Sequence, residues 1–249
     1  MIIICLGNPG SGKTATVVRE MALRTTGRLT YSNIKTKGIK NNNLIDPSMI
    51  IQKNMVSTKK KRDGSEEPVY EYKLNTEFWK KIKEPIDVIL DEAHAIINAR
   101  RAMNKVNIIV TDWLALIRRV LGQSDSGYGR LVLISQLHNR IDIIAREMAT
   151  QVRFHRCHYV KSCKKCGVSW QENSDIPEPM WQCPKCASFG IKKDSHVIEV
   201  WHFPNMTAYI GWKEYGMNTY HKHYLVHDIE NYFPLYNTLQ WNNLFSEYY

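Results

Sequence analysis

The sequence predicts an α/β protein in which helices flank a mainly parallel sheet, with a small four-cysteine appendage. Three observations predict it. Short apolar runs alternate with segments of helical spacing along residues 1–160. The first run leads through a glycine-rich loop into a helix. Two Cys-x-x-Cys pairs, Cys163/Cys166 and Cys183/Cys186, stand 16 residues apart.

The 249 residues, 43% of them hydrophobic, suffice for one sizeable core with an appendage, or for two small domains. No apolar run approaches the roughly 20 residues of a membrane helix. The apolar start enters the glycine loop with no basic leader, so no signal peptide is expected and an intracellular, cytoplasmic site follows. Net charge is +10, concentrated early: residues 1–80 carry 14 Lys and Arg against 7 Asp and Glu. A basic excess over the first part of the chain points to DNA as a partner; a solvated basic face is the plain alternative.

Residues 1–6 read as a buried strand. Gly7-Asn8-Pro9-Gly10-Ser11-Gly12-Lys13-Thr14 then matches G-x-x-x-x-G-K-[ST] in full, and residues 14–23 read as the following helix. The glycines let the backbone curl so that successive N–H groups face phosphates. The positive end of the helix adds to that field. Lys13 is expected on the β- and γ-phosphates, and the Thr14 hydroxyl on Mg²⁺. ATP is the default nucleotide, and the core is that of a P-loop NTPase.

Residues 28–34 read as a second strand. Lys59-Lys60-Lys61-Arg62-Asp63-Gly64-Ser65 is a charged turn between two extended runs, which fits a basic hairpin: a nucleic-acid finger or an exposed loop. Residues 75–83 look like a short helix. Residues 86–90 form a buried strand ending in Asp91 and Glu92. Asp91 is placed to hold Mg²⁺, and Glu92 to activate the attacking water. A helix starts at Ala93. Residues 106–121 have helical apolar spacing and are expected to pack on the sheet, and residues 123–129 form a loop. Residues 130–135 read as another buried strand, and Gln136 at its end is suited to sense the γ-phosphate or orient water. A helix with Arg140 and Arg146 follows, then an alternating strand over residues 151–159.

The four cysteines have the spacing of a zinc ribbon with a closed, tetrahedral and therefore structural Zn²⁺ site. His155 and His158 read as strand residues beside it, and Cys5 and Cys157 as ordinary buried cysteines. Lys161, Lys164, Lys165 and Lys185 suit nucleic acid, though a protein contact fits nearly as well. Residues 196–203 read as a strand returning to the core, with residues 207–212 as its partner. The aromatic stretch from Tyr232 can clip onto its own core or onto a neighbouring subunit. The chain thus divides into an ATPase core (1–160), a zinc-ribbon insertion (161–190), and returning strands with a tail (191–249).

The glycine loop, the Asp91-Glu92 pair, the strand ending at Gln136 and the late Tyr232-x-x-x-Tyr236-Asn237-Thr238 resemble P-loop ATPases of viruses and phages. These serve genome packaging or virion morphogenesis. They include the zonular occludens toxin-like (Zot-like) assembly ATPases of filamentous phages and the packaging and terminase ATPase domains. The resemblance spans residues 1–160 and, more weakly, the tail. It implies an ATPase motor moving viral or mobile-element DNA in the host cytoplasm, as a ring of subunits that meets a capsid or portal-type protein. In such rings an arginine completes the neighbouring site; Arg100, Arg101, Arg118, Arg119, Arg140 and Arg146 are candidates, with Arg146 favoured. A Zot-like ATPase acting on protein and a zinc-dependent nucleic-acid-binding switch are the alternatives. The ribbon, the missing membrane helix and the missing nuclease domain depart from those families. The last two departures favour a packaging motor over an export factor or a full terminase. Asp91-Glu92-Ala93-His94 also spells a helicase box, but such enzymes need two motor domains, which leaves His94 as an ordinary helix-start residue.

Overall fold

In the computed structural model, residues 1–25, 27–60, 63–97, 105–121, 129–176 and 180–237 are described. β1 (Ile2–Leu6) is buried at all five positions and leads into α1 (Lys13–Ala22). β2 (Thr30–Ser32) and β3 (Asn42–Leu44) follow, then the hairpin β4 (Ile51–Lys60) and β5 (Glu66–Leu74). Next come α2 (Thr76–Lys80), β6 (Asp87–Leu90), α3 (Ala93–Ile96), α4 (Lys105–Leu121), β7 (Arg130–Ile134) and α5 (Ile143–Glu147). The rest is built from β8 (Gln151–Cys163), β9 (Ser169–Asn173), β10 (Ile191–Phe203), α6 (Met206–Tyr215), β11 (Lys222–Val226) and a 3₁₀ segment at Ile229–Leu235.

The main sheet runs in the order β11-β10-β8-β1-β7-β6-β2-β3, with β9 attached to β8. β8, β1, β7, β6, β2 and β3 pair in parallel. The expected mainly parallel sheet is therefore present, with an antiparallel margin of β9, β10 and β11. Each central strand buries both faces, which is why these segments read as continuous apolar runs. The strand period of two splits β1 cleanly. Ile2, Ile4 and Leu6 join a core with Trp79, Trp113 and Phe203, while Ile3 and Cys5 pack against Val17, Val18 and Met21 of α1.

β7 lies between β1 and β6, so the carboxyl ends of these strands form one rim. At the opposite end, fully buried Asp87 is held by Arg24, Arg28 and Arg130, with Arg130 Nη2 at 2.7 Å. Glu20 ties this cluster to Arg153 at 2.6 Å. These ion pairs join α1, β6, β7 and β8 beneath the rim.

β4 and β5 form the expected hairpin as a separate two-stranded sheet, exposed along nearly its whole length. Lys61 and Arg62 of its turn lie outside the described residues, as do positions 123–128 of the expected loop. The 207–212 segment is not a strand. It belongs to α6, where the Asn205 side chain caps the start through Ala208 N–H and Gly216 closes the end at φ +67°. The strand that pairs with β10 is β11. β3, at the far edge, was not expected from its polar sequence.

β8 and β10 pair over their full lengths, from Val152 opposite Phe203 to Cys163 opposite Ile191. They form one continuous arm that carries the cysteine pairs at its tip. A bulge interrupts this ladder between Asp194 and His196, with Ser195 at φ +34°. Residues 229–237 clip onto the chain's own core: Lys37 N–H donates to Leu235 C=O at 2.7 Å and Thr36 bridges to Tyr236. No helix among the described residues is long and apolar enough to cross a membrane.

Candidate nucleotide site and four-cysteine centre

The loop after β1 depends on glycine at two positions. Gly7 sits at φ +149°, and a Cβ there would collide with the His155 carbonyl and the Ser11 side chain. Gly12 sits at φ +85°, and a Cβ there would run into Ile198 Cδ1 of β10. Gly12 also begins α1 without any side-chain cap. The free N–H groups of the first helical turn are thus left facing the rim, where an anion would accept from them.

Lys13 is buried and folds back over the loop. Its ammonium donates to Gly7 C=O at 2.9 Å and Asn8 C=O at 3.0 Å. Burial pulls its pKa below the ordinary lysine value, with Asp91 and Glu92 opposing. Asn8 also reaches the arm, donating to Asp175 Oδ1 at 3.2 Å. Thr14 Oγ1 donates to Asp91 Oδ2 at 3.0 Å. Burial raises the Asp91 carboxyl pKa, opposed by the hydrogen bonds from Thr14 and the Glu92 N–H. A hydroxyl and a carboxylate meeting beside a phosphate-type loop are suitable hard oxygen donors for Mg²⁺.

Glu92 adopts the left-handed conformation at φ +51°, uncommon for a non-glycine residue. The turn frees its exposed carboxylate toward the rim, where Gln136 Nε2 donates to Oε1 at 3.3 Å. His94 Nδ1 lies 3.2 Å from Oε2 and 3.3 Å from Ser135 Oγ. His94 therefore begins a helix, as its sequence position suggested, but also touches Glu92. The structure brings Lys13, Thr14, Asp91, Glu92 and Gln136 to the wall of one cavity of about 720 Å³. That volume lies within the range of about 300–1,000 Å³ common to small-ligand sites.

Arg146 on α5 is half-buried and does not line this cavity in its own chain. Its Nε is buried and has no hydrogen-bond partner among the described residues. Arg140 sits exposed in a 3₁₀ turn. Arg100 and Arg101, and the side chains of Arg118 and Arg119, lie outside the described residues.

Asn33 was missed in the sequence. Just past β2, its amide donates to Asp91 C=O at 2.9 Å and accepts from Asp91 N–H at 2.7 Å. An asparagine after a three-residue strand has no local signature for that task. Tyr159, Lys193, His196 and Phe233 were also missed, and they line the cavity beyond Gly12.

The Sγ atoms of Cys163, Cys166, Cys183 and Cys186 lie within 4.8 Å of one another. Cys163–Cys186 and Cys166–Cys183 are each 3.6 Å apart. Zn–S bonds of about 2.3 Å place tetrahedral thiolates roughly 3.8 Å apart, so the four sulfurs fit such an ion. Hydrogen bonds from the Cys166 and Lys165 backbone N–H groups push the Cys163 thiol pKa down, the direction that favours thiolate. His155 is not part of this centre. It is fully buried, Nδ1 lies 3.3 Å from Leu6 C=O, and burial pushes its pKa down to about 3, so it is neutral.

Solved structures that match the chain include the following two. One is the N-terminal domain of zonular occludens toxin from Neisseria meningitidis, 18% identical, covering 95% of this chain and 98% of that one, with a TM-score of 0.46. The other is the genome packaging NTPase B204 from Sulfolobus turreted icosahedral virus 2 in complex with ATP-gammaS. It is 14% identical, covering 61% of this chain and 74% of that one, with a TM-score of 0.34. No curated protein matches the sequence. The family model described as zonular occludens toxin (Zot) matches residues 1–171, more than half of the sequence, and the chain belongs to the Zot family.

Proposed function

We propose that this protein is a magnesium-dependent ATPase motor of virion assembly that uses hydrolysis to move viral or mobile-element DNA. The observation that carries the hydrolytic part is the convergence of Thr14, Asp91, Glu92 and Gln136 on one wall of the cavity behind Gly7–Gly12. Lys13 exchanges the loop carbonyls for the β- and γ-phosphate oxygens and offsets their charge. Thr14 and Asp91 would hold Mg²⁺, which would supply further neutralisation of the phosphate charge. Glu92 takes the proton of the attacking water, and Gln136 orients that water and fixes the Glu92 carboxylate.

The partition into an ATPase core (1–160), a zinc-ribbon insertion (161–190) and returning strands with a tail (191–249) belongs to this reading. So do a zinc ion on the four cysteines, a ring of subunits, and a cytoplasmic site in the host cell. Arg146 would complete a neighbour's site across a subunit boundary, which is compatible with its absence from the cavity wall of its own chain. A capsid or portal-type protein would be the structural partner.

Family membership equally supports a Zot-like morphogenesis ATPase that acts on protein. A zinc-dependent nucleic-acid-binding switch is a third reading. Steady-state ATP hydrolysis with and without double-stranded DNA tests the motor. Stimulation by DNA, together with salt-sensitive DNA binding, is the expected result. A rate indifferent to DNA, with no salt-sensitive affinity, removes the DNA motor and leaves the protein-directed role. Full biological activity in Glu92→Gln without hydrolysis would favour the switch.

A further inference from the structure

The cavity does not end at the phosphate loop. It continues past Gly12 along the inner side of the β8–β10 arm and under the C-terminal segment. Cys157 pairs with Ile198, and Tyr159 with His196, so these four side chains stand as two cross-strand neighbours on one face. In a regular strand Lys193 and His196, three residues apart, would point to opposite faces. The bulge at Ser195 inserts one extra residue and brings both to the cavity wall.

The wall is aromatic and ordered. His196 Nδ1 lies 2.9 Å from Glu230 Oε1, and its backbone N–H donates to the same carboxylate. The His196 ring meets Phe233 edge-on at 5.6 Å and lies 6.4 Å from Tyr159. The Lys193 ammonium sits 4.2 Å from the Tyr159 ring centre. Phe233 arrives from the segment tied to residues 36 and 37, which crosses α1 to close this end.

We propose that this wall is the nucleoside subsite: a purine base packs against Tyr159, His196 and Phe233, and Lys193 supplies donors to its acceptor atoms. The proposal rests on the reading that the phosphate loop holds a nucleoside triphosphate. It adds that the sheet arm carrying the four cysteines supplies Tyr159, Lys193 and His196, three of the four residues that meet the base. Flat aromatic faces at one end and a phosphate cradle at the other match the two chemically distinct ends of such a ligand.

Calorimetric titration of the whole chain with Mg-ATP and with Mg-tripolyphosphate separates the two ends. Wild-type protein should bind ATP more tightly than tripolyphosphate. Phe233→Leu and His196→Ala should each weaken ATP by about 5- to 150-fold, the loss of one stacking contact, and leave tripolyphosphate affinity unchanged. Unchanged tripolyphosphate binding also reports an intact phosphate loop in each variant. Equal wild-type affinity for the two ligands, or variants that bind ATP as wild type does, overturns the subsite while the phosphate loop stands. Parallel loss of both ligands in both variants overturns it too. Failure of wild-type protein to bind either ligand overturns the ATPase reading itself.

Discussion

Thr14 and Asp91 are 77 residues apart in sequence, and the hydroxyl of one donates a 3.0 Å hydrogen bond to the carboxylate of the other. The contact spans the first turn of α1, which follows β1, and the turn after β6; β1 and β6 do not pair directly. It marks where a divalent ion would sit. Thr14→Val should therefore abolish the magnesium dependence of nucleotide affinity while leaving the chain folded. Binding titrations with and without Mg²⁺, with circular dichroism as the folding check, read this out. A variant that keeps the full magnesium effect would remove Thr14 from the ion site.

Glu92 is exposed and its carboxylate meets Gln136 and His94 at the rim rather than in the core, so replacing it should cost catalysis rather than folding. Glu92→Gln should lower kcat by about 10²–10⁴-fold, the range of a general base, and retain nucleotide binding. Phosphate release under saturating ATP measures the first effect, and equilibrium binding the second. Comparable losses in both would mean that Glu92 acts in binding instead.

Asn33 forms a reciprocal pair of hydrogen bonds with the Asp91 backbone. Asn33→Ala leaves the Asp91 N–H and C=O unpaired, which should cost about 1–3 kcal/mol in urea denaturation. Asp91 is also released from its position, so kcat should fall although Asn33 touches no reacting atom. Normal turnover in the variant would restrict Asn33 to a purely structural role.

Asp87 gives a pH signature. Burial alone would raise its pKa, but hydrogen bonds from Arg130 and the charges of Arg130, Arg24 and Arg28 hold it below the usual 3.8. A carboxylate depressed in the folded state stabilises fully above its unfolded value, and that stability disappears as pH falls through the lower folded value. Asp87→Asn should therefore cost about 3–5 kcal/mol at pH 7, since it removes the buried negative charge that faces three guanidinium groups. The difference from wild type should shrink once pH drops below about 4. Denaturation at pH 7 and at pH 3 to 4 tests this; a difference independent of pH would rule out the charge as its source.

Gly12 is constrained twice, by its left-handed backbone and by Ile198. Gly12→Ala should destabilise by about 1–3 kcal/mol from the backbone alone and weaken nucleotide binding further by displacing the arm. Ile198→Ala placed on that background should recover part of the binding by making room for the new methyl. A double variant no better than Gly12→Ala would show that the backbone accounts for the whole loss.

Cys163, Cys166, Cys183 and Cys186 should take up one zinc ion per chain, measured by metal analysis of the purified protein. Cys183→Ser should lose it and should raise hydrogen exchange in β9 and at the Cys163 end of β8, where the strands converge on the centre. Stoichiometric zinc in that variant would place the metal elsewhere.

The parts of the site legible in the sequence are those where one short segment carries both the signal and the function. Gly7 to Thr14 needs only its own spacing and flanks, and the apolar run before Asp91 marks a buried strand end. The two Cys-x-x-Cys pairs are equally local, since each knuckle supplies adjacent ligands. The segment at 207–212 was misread because its apolar residues suit a strand, while the signals that decide for a helix, Asn205 and Gly216, lie outside it.

The sequence by itself determined the α/β class, the phosphate loop, the acidic pair and the four-cysteine centre. Each follows from the conformational or ligand chemistry of residues close together in the chain. Only the tertiary structure decided that Asn33 clamps Asp91, that Gln136 and His94 meet Glu92, and that Arg146 is not on the cavity wall of its own chain. It also decided that a bulge at Ser195 turns Lys193 and His196 to the same wall, and that Phe233 closes over them. These relations depend on strand order, register and a returning C-terminal segment, which arise from packing between distant elements and leave no pattern within any one of them.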